Sequence, residues 1–168
     1  MEDLHSVPEL NTLFLALFAF GIGIGGFLCN RLFRGEITLK YTWAAALGMA
    51  VSALVLSSLA YCNPPVVEMS LPDFLMQPYA PLMLMSIIVL AASAGIYVVP
   101  IVSKLQLSVP EDQRARLLSL ANIWFALFVL ASSLLAAAVI ALGGAAKTVF
   151  GIIGLLTLFL ALYSYRKS

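Results

Sequence analysis

Five runs of apolar residues, each roughly 18 or more long and nearly free of charge, dominate this sequence. They cover about 11–29, 42–62, 82–103, 117–142 and 148–165. A helix of that length crosses a bilayer core of roughly 30 Å. Hydrocarbon offers no water to pair backbone N–H and C=O groups, so a spanning segment is either a helix or a strand of a closed barrel. Barrel strands are short and alternate polar with apolar residues, and none of the five runs does. The fold class expected is therefore all-α: a polytopic helical membrane protein with five transmembrane helices, one transmembrane domain over residues 1–168. Composition excludes a soluble domain. Hydrophobic residues make up 62% and charged residues 10% of the chain, and mean hydropathy is +1.05, whereas a soluble domain carries about 25% charged residues.

The basic residues give the spans a direction. No Lys or Arg precedes the first run, which follows Glu2, Asp3 and Glu9. The next connection holds Arg31, Arg34 and Lys40, the third only Glu68 and Asp73, and the fourth Lys104, Arg114 and Arg116. Lys147 stands alone in the fifth, and Arg166 and Lys167 end the chain. Eight of the nine basic residues thus fall on alternate connections, which the positive-inside rule assigns to the cytoplasm. The expected localisation is the inner (plasma) membrane, multi-pass, with the N-terminus outside and the C-terminus cytoplasmic. The acidic start lacks the positive n-region of a signal peptide. Tyr41, Trp43, Tyr61, Tyr79, Tyr163 and Tyr165 all fall where spans meet headgroups.

Two connections have character of their own. Residues 63–81 contain Pro64, Pro65, Pro72, Pro78 and Pro81, which argues for an extended loop. Ser108-Val-Pro-Glu111 has the spacing of a capping box and is expected to start a helix that continues into the fourth span. Cys29 and Cys62 sit at span ends on opposite sides of the membrane. They are read as unbridged packing residues, since a disulfide needs Cα atoms within about 7 Å.

Gly21, Gly23 and Gly26 match G-x-G-x-x-G, but that fingerprint binds a dinucleotide only at a strand-to-helix turn. Inside a membrane helix the relevant pattern is G-x-x-x-G, Gly21 with Gly25, which lets a second backbone approach closely. Ala91 and Gly95 repeat the device in the third span. Pro100, near the inner end of that span, frees the Ile96 carbonyl and marks either a gating bend or a static kink.

Gly26, Asn30, Arg31 and Arg34 then follow in a register that resembles the loop signature of the major facilitator superfamily, G-x-x-x-D-R-x-G-R-[RK]. Asn30 stands where that family has Asp, so it keeps an acceptor and loses a charge. Gly95 to Pro100, Gln106, Arg114-Ala-Arg116 and Ala121-Asn122-Ile, with Gly25-Gly26 and Leu47-Gly-Met49, are similar to the lysophospholipid transporter branch, including the transporter segment of bifunctional acyltransferase/acyl-ACP ligase proteins. Phe125 departs from it, standing where a second Asn is expected. The resemblance covers most of residues 11–142 and implies a partial C-terminal half of a twelve-span bundle, the eighth to twelfth spans. Such a fragment would begin outside and end inside, as the charges do. Its partners would be the lipid bilayer, the missing N-terminal spans and a lysophospholipid-like substrate, moved by alternating access.

The same resemblance places Tyr97 and Asn122 on the substrate cavity wall, although Asn122 serves interhelical hydrogen bonding equally well. Trp124, two turns inside its span, faces that cavity, lipid or a neighbouring helix. No secure ionisable residue lies within a span, which suits an amphiphilic substrate. Net charge is +1 and no basic cluster suggests nucleic acid. The single histidine, His5, forms neither a catalytic dyad nor an H-x-x-x-x-D motif, because Leu10 stands at the Asp position. Neither an enzymatic activity nor a cofactor or metal is expected. The alternative reading is a stand-alone five-span structural or assembly protein that binds a partner through the Gly21–Gly25 face.

Overall fold

The computed structural model describes residues 6–32, 42–63, 69–143 and 146–167, and these are helical almost throughout. The helices are α1 (Ser6–Leu32), α2 (Thr42–Cys62), the short α3 (Leu71–Leu75), α4 (Ala80–Leu107), α5 (Arg114–Ala141) and α6 (Ala146–Lys167). Four of them, α1, α2, α4 and α5, are long and apolar enough to cross a membrane, while the apolar stretch of α6, Thr148–Tyr163, is shorter. This is the build of a helical membrane protein. The α2 bounds coincide with the expected span. Helices α1, α4 and α6 overrun theirs at both ends.

The helices pack as a row. Helix α1 lies against α4, α4 also against α2, and α2 also against α6. The buried residues that make these contacts are small, among them Ala45, Ala50 and Ala53 on α2 and Ser86, Ala91 and Ser93 on α4. Lipid tails are as apolar as leucine, so close backbone approach rather than burial of large side chains holds such helices together. At the α1–α4 crossing a Cβ on Gly21 would stand 2.6 Å from the Ala91 Cβ, and one on Gly95 would stand 2.9 Å from the Ile22 carbonyl. A Cβ on Gly25 would overlap the Ala92 backbone. The α2 pairs use the same means: Gly48 meets the Ser93 hydroxyl, and Gly151 and Gly154 meet Ser57 and Leu54. Tyr61 and Thr148 hydroxyls, 3.0 Å apart, tie the end of α2 to the start of α6.

Three expectations are corrected. The connection before α4 is not an extended loop over residues 69–79. Ser70 caps α3 by accepting from the Asp73 N–H, and Pro72 falls in the first turn, where its missing N–H has no helical partner to lose. Phe74 is fully buried there, edge-on to Phe14 of α1 (centroids 5.7 Å apart) and to Tyr79 (6.4 Å). Second, Ser108 does not open a capping box. It has helical φ and ψ, ends α4, and donates its hydroxyl to the Leu105 carbonyl at 2.6 Å. A 3-10 turn, Glu111–Gln113, then leads into α5. Third, Cys29 is a buried packing residue, but Cys62, last in α2, is exposed, and both thiols are free.

Helix α5 stands apart. It touches α4 and α6 only slightly, and none of its residues is buried. Leu127, Phe128 and Leu134 are half or more exposed.

Two measurements test this packing and its direction. Gly25→Ala is expected to destabilise the bundle by about 1–3 kcal/mol, the range for overpacking. Gly26→Ala, whose Cβ meets nothing, is expected to be neutral or stabilising by up to about 1 kcal/mol. Reversible unfolding in mixed micelles reads both, and equal effects would contradict the crossing. For direction, single cysteines at Met76→Cys and Glu111→Cys in a chain without Cys29 and Cys62 use exposed positions at the two ends. An impermeant thiol reagent added outside is expected to reach position 76 only.

Candidate functional site

The site is a crevice between the C-terminal part of α4 and the N-terminal part of α5. Because α5 leans on α4 at few points, a cavity of about 250 Å³ opens between them, lined by Ile101, Val102 and Leu105 of α4 and, on α5, by residues from Leu118 to Phe128. Leu118, Ala121, Asn122, Phe125 and Phe128 fall at helical i, i+3, i+4 spacing and present one side of α5 to it. Asn122 and Trp124 therefore line one cavity, as does Phe125. The Trp124 ring tilts against Phe128 with centroids 6.3 Å apart. Tyr97 is not part of this wall. It lies one turn before Ile101 on α4 and is about one-third exposed.

The walls are apolar except for two groups. Among the described residues neither the Asn122 amide nor the Trp124 indole N–H has a hydrogen-bond partner. An amide facing hydrocarbon without a partner is costly, so the cavity is chemically suited to a molecule that is mostly apolar and carries some hydrogen-bonding capacity.

Charged residues stand beyond one end of the lining. Arg114, one turn before Leu118, reaches Glu111 through Nη1 at 3.4 Å. Its Nε is enclosed without a partner. Lys104 lies in the last turn of α4, and Arg116 is exposed on α5.

The remaining expected residues lie elsewhere. Gly21, Gly25 and Gly95 meet at the α1–α4 crossing, so the Gly21–Gly25 face is occupied from within the chain and is not open to an outside partner. Pro100 is buried, and α4 runs through it as one helix from Ala80 to Leu107. Gly26 faces open space. Asn30 and Arg31 are exposed at the end of α1. Arg34 lies outside the described residues.

The sequence reading missed Ile101, Leu105, Leu118 and Phe128. The spacing of 118, 121, 125 and 128 carries the signal for α5, but α5 is apolar on every side, so no polar face singles that stripe out. Comparison with models of protein families, with curated proteins and with solved structures returned no match to this chain. The likeness to the major facilitator superfamily thus rests on the motif residues and the charge-derived topology alone.

Asn122→Leu removes an amide that has no partner within the chain. It is expected to stabilise the isolated chain by about 0.5–2 kcal/mol, read by reversible unfolding in mixed micelles. A loss of stability instead would mean that the amide is paired.

Proposed function

We propose that this chain is the C-terminal part of a major facilitator transporter of the inner membrane that moves a lysophospholipid, or a related amphiphile, by alternating access. The observation that carries this reading is the α4–α5 cavity. It combines apolar walls, two polar groups without a hydrogen-bond partner among the described residues and an arginine, Arg114, one turn beyond, on α5, none of whose residues is buried. A single-chain amphiphile has the matching parts: an acyl chain, hydrogen-bonding ester and hydroxyl groups, and a phosphate. The topology and the Gly26, Asn30, Arg31, Arg34 register support the family. In it, α5 would complete its packing against the missing N-terminal spans, and transport would be the rocking of two bundles about a site between them. The chain itself performs no chemistry in this reading, and needs no cofactor.

Proteoliposomes containing this chain alone are expected to show no lysophospholipid uptake, since one bundle cannot alternate access. Co-expression with a segment encoding seven preceding spans, where one is encoded upstream of Met1, is expected to restore it. Uptake by the chain alone would overturn the proposal. A dedicated promoter and ribosome-binding site directly before Met1 would favour the stand-alone protein instead.

A further inference from the structure

We infer that the α4–α5 crevice holds a resident anionic phospholipid of the adjoining leaflet, with one acyl chain in the cavity and the phosphodiester on Arg114. This concerns a bound membrane lipid rather than a transported one. It shares the cavity with the transport proposal but needs no movement across the bilayer.

Three independent features converge on it. The first is length. From Leu118 to Phe128 the cavity wall extends about 15 Å along α5 at 1.5 Å per residue, and one leaflet contributes about half of a roughly 30 Å hydrocarbon core. The lining on α5 thus matches the depth of one leaflet, while on α4 it covers about one turn, Ile101 to Leu105. The second is content. An open groove of about 250 Å³ with mostly apolar lining has room for a length of acyl chain. The third is the group at its mouth. Arg114 sits one turn, about 6 Å, before Leu118, and its enclosed Nε lacks a partner. Among the described residues its ion pair is with Glu111, whose side chain is 88% exposed. Such a solvated pair is worth little, so a phosphate that reaches the terminal guanidinium nitrogens can replace Glu111 with a charge-assisted hydrogen bond.

Charge decides the class of lipid. The neighbouring charges are Lys104, Glu111, Asp112 and Arg116. Glu111 and Asp112 lie on the 3-10 turn that precedes α5, Glu111 against Arg114, and Lys104 stands in the last turn of α4. A zwitterionic headgroup would bring its own cation to Arg114, and a free phosphate would leave the apolar crevice unfilled. A basic pocket between helices at headgroup level selects anionic lipid.

Trp124 lines the crevice and is one of two tryptophans, so Trp43→Phe turns it into a single reporter. The chain is placed in phosphatidylcholine nanodiscs with a few per cent of lipid brominated at mid-chain. Brominated phosphatidylglycerol is expected to quench Trp124 about fivefold more effectively than brominated phosphatidylcholine at equal mole fraction, the preference that one cation near the surface confers. Arg114→Gln is expected to erase the difference, and Arg116→Gln, on another side of α5, to keep it. Ala121→Leu, which fills the cavity with Arg114 intact, is expected to reduce quenching by the anionic lipid, and circular dichroism checks that each variant stays folded. Equal quenching by the two lipids overturns the inference, as does a preference that survives Arg114→Gln or falls equally with Arg116→Gln. Displacement of the anionic lipid by millimolar inorganic phosphate would also overturn it, by showing a phosphate site. Nanodiscs hold no enclosed volume, so this result and the uptake result fail independently.

Discussion

Each helix in this protein has to satisfy its own backbone, and everything else follows from how two such cylinders then approach. The α1–α4 crossing shows the consequence. With no water to expel from between lipid-solvated helices, attraction comes from many weak contacts at short range. Gly21, Gly25 and Gly95 supply that range by removing side chains where the backbones would otherwise be held apart. The adjacent pair Gly25 and Gly26 shows how local the requirement is. One faces the Ala92 carbonyl and the other faces open space, one helical step away. Serine and glycine do the same between α4 and α2, and glycine between α2 and α6.

The other end of the bundle is held by different means. Among the described residues Phe74 is the one large side chain that is completely enclosed, and it belongs to the five-residue helix α3. Leu10 and Phe14 of α1 and Tyr79, Ala80 and Met83 around the start of α4 close over it. Aromatic edge contacts and burial of a whole ring stabilise this cap as they would in a soluble core. Leu75 and Met76 point away and are exposed. The chain therefore uses small residues where its long apolar helices cross and a large aromatic beneath the connection before α4.

This division explains what the sequence discloses. The five apolar runs are visible because hydrocarbon length is a single strong constraint, and α2 was bounded to the residue. Helix α3 was hidden because five prolines outweigh one helical turn in any window, although Ser70 and Asp73 carry the cap that forms it. Ser108 misled for the opposite reason. Its spacing to Glu111 fits an N-terminus, but its hydroxyl was already committed to the carbonyl of the helix it ends. Gly21, Gly25, Ala91 and Gly95 stood out as small-residue motifs, yet nothing in their spacing says that these two motifs meet each other. The cavity was half legible. Asn122 and Trp124 are conspicuous as polar groups in apolar spans, while Leu118 and Phe128 look like every other residue of α5.

Helix α5 is where the two solvents of the protein meet. A helix that is apolar all round needs no protein partner to be stable in a bilayer, since lipid satisfies Leu127, Leu130 and Leu134 as well as another helix would. That freedom lets α5 stand off from α4 far enough to leave a crevice, where a glycine crossing like that of α1 would have closed it. Asn122 and Arg114 are the residues for which lipid tails are a poor solvent, and they lie two turns apart at the same end of α5, one on the wall of the crevice and one at its mouth. The loose packing and the polar groups are therefore complementary features of one site. The first makes room, and the second supplies the groups that the proposed amphiphile would pair with.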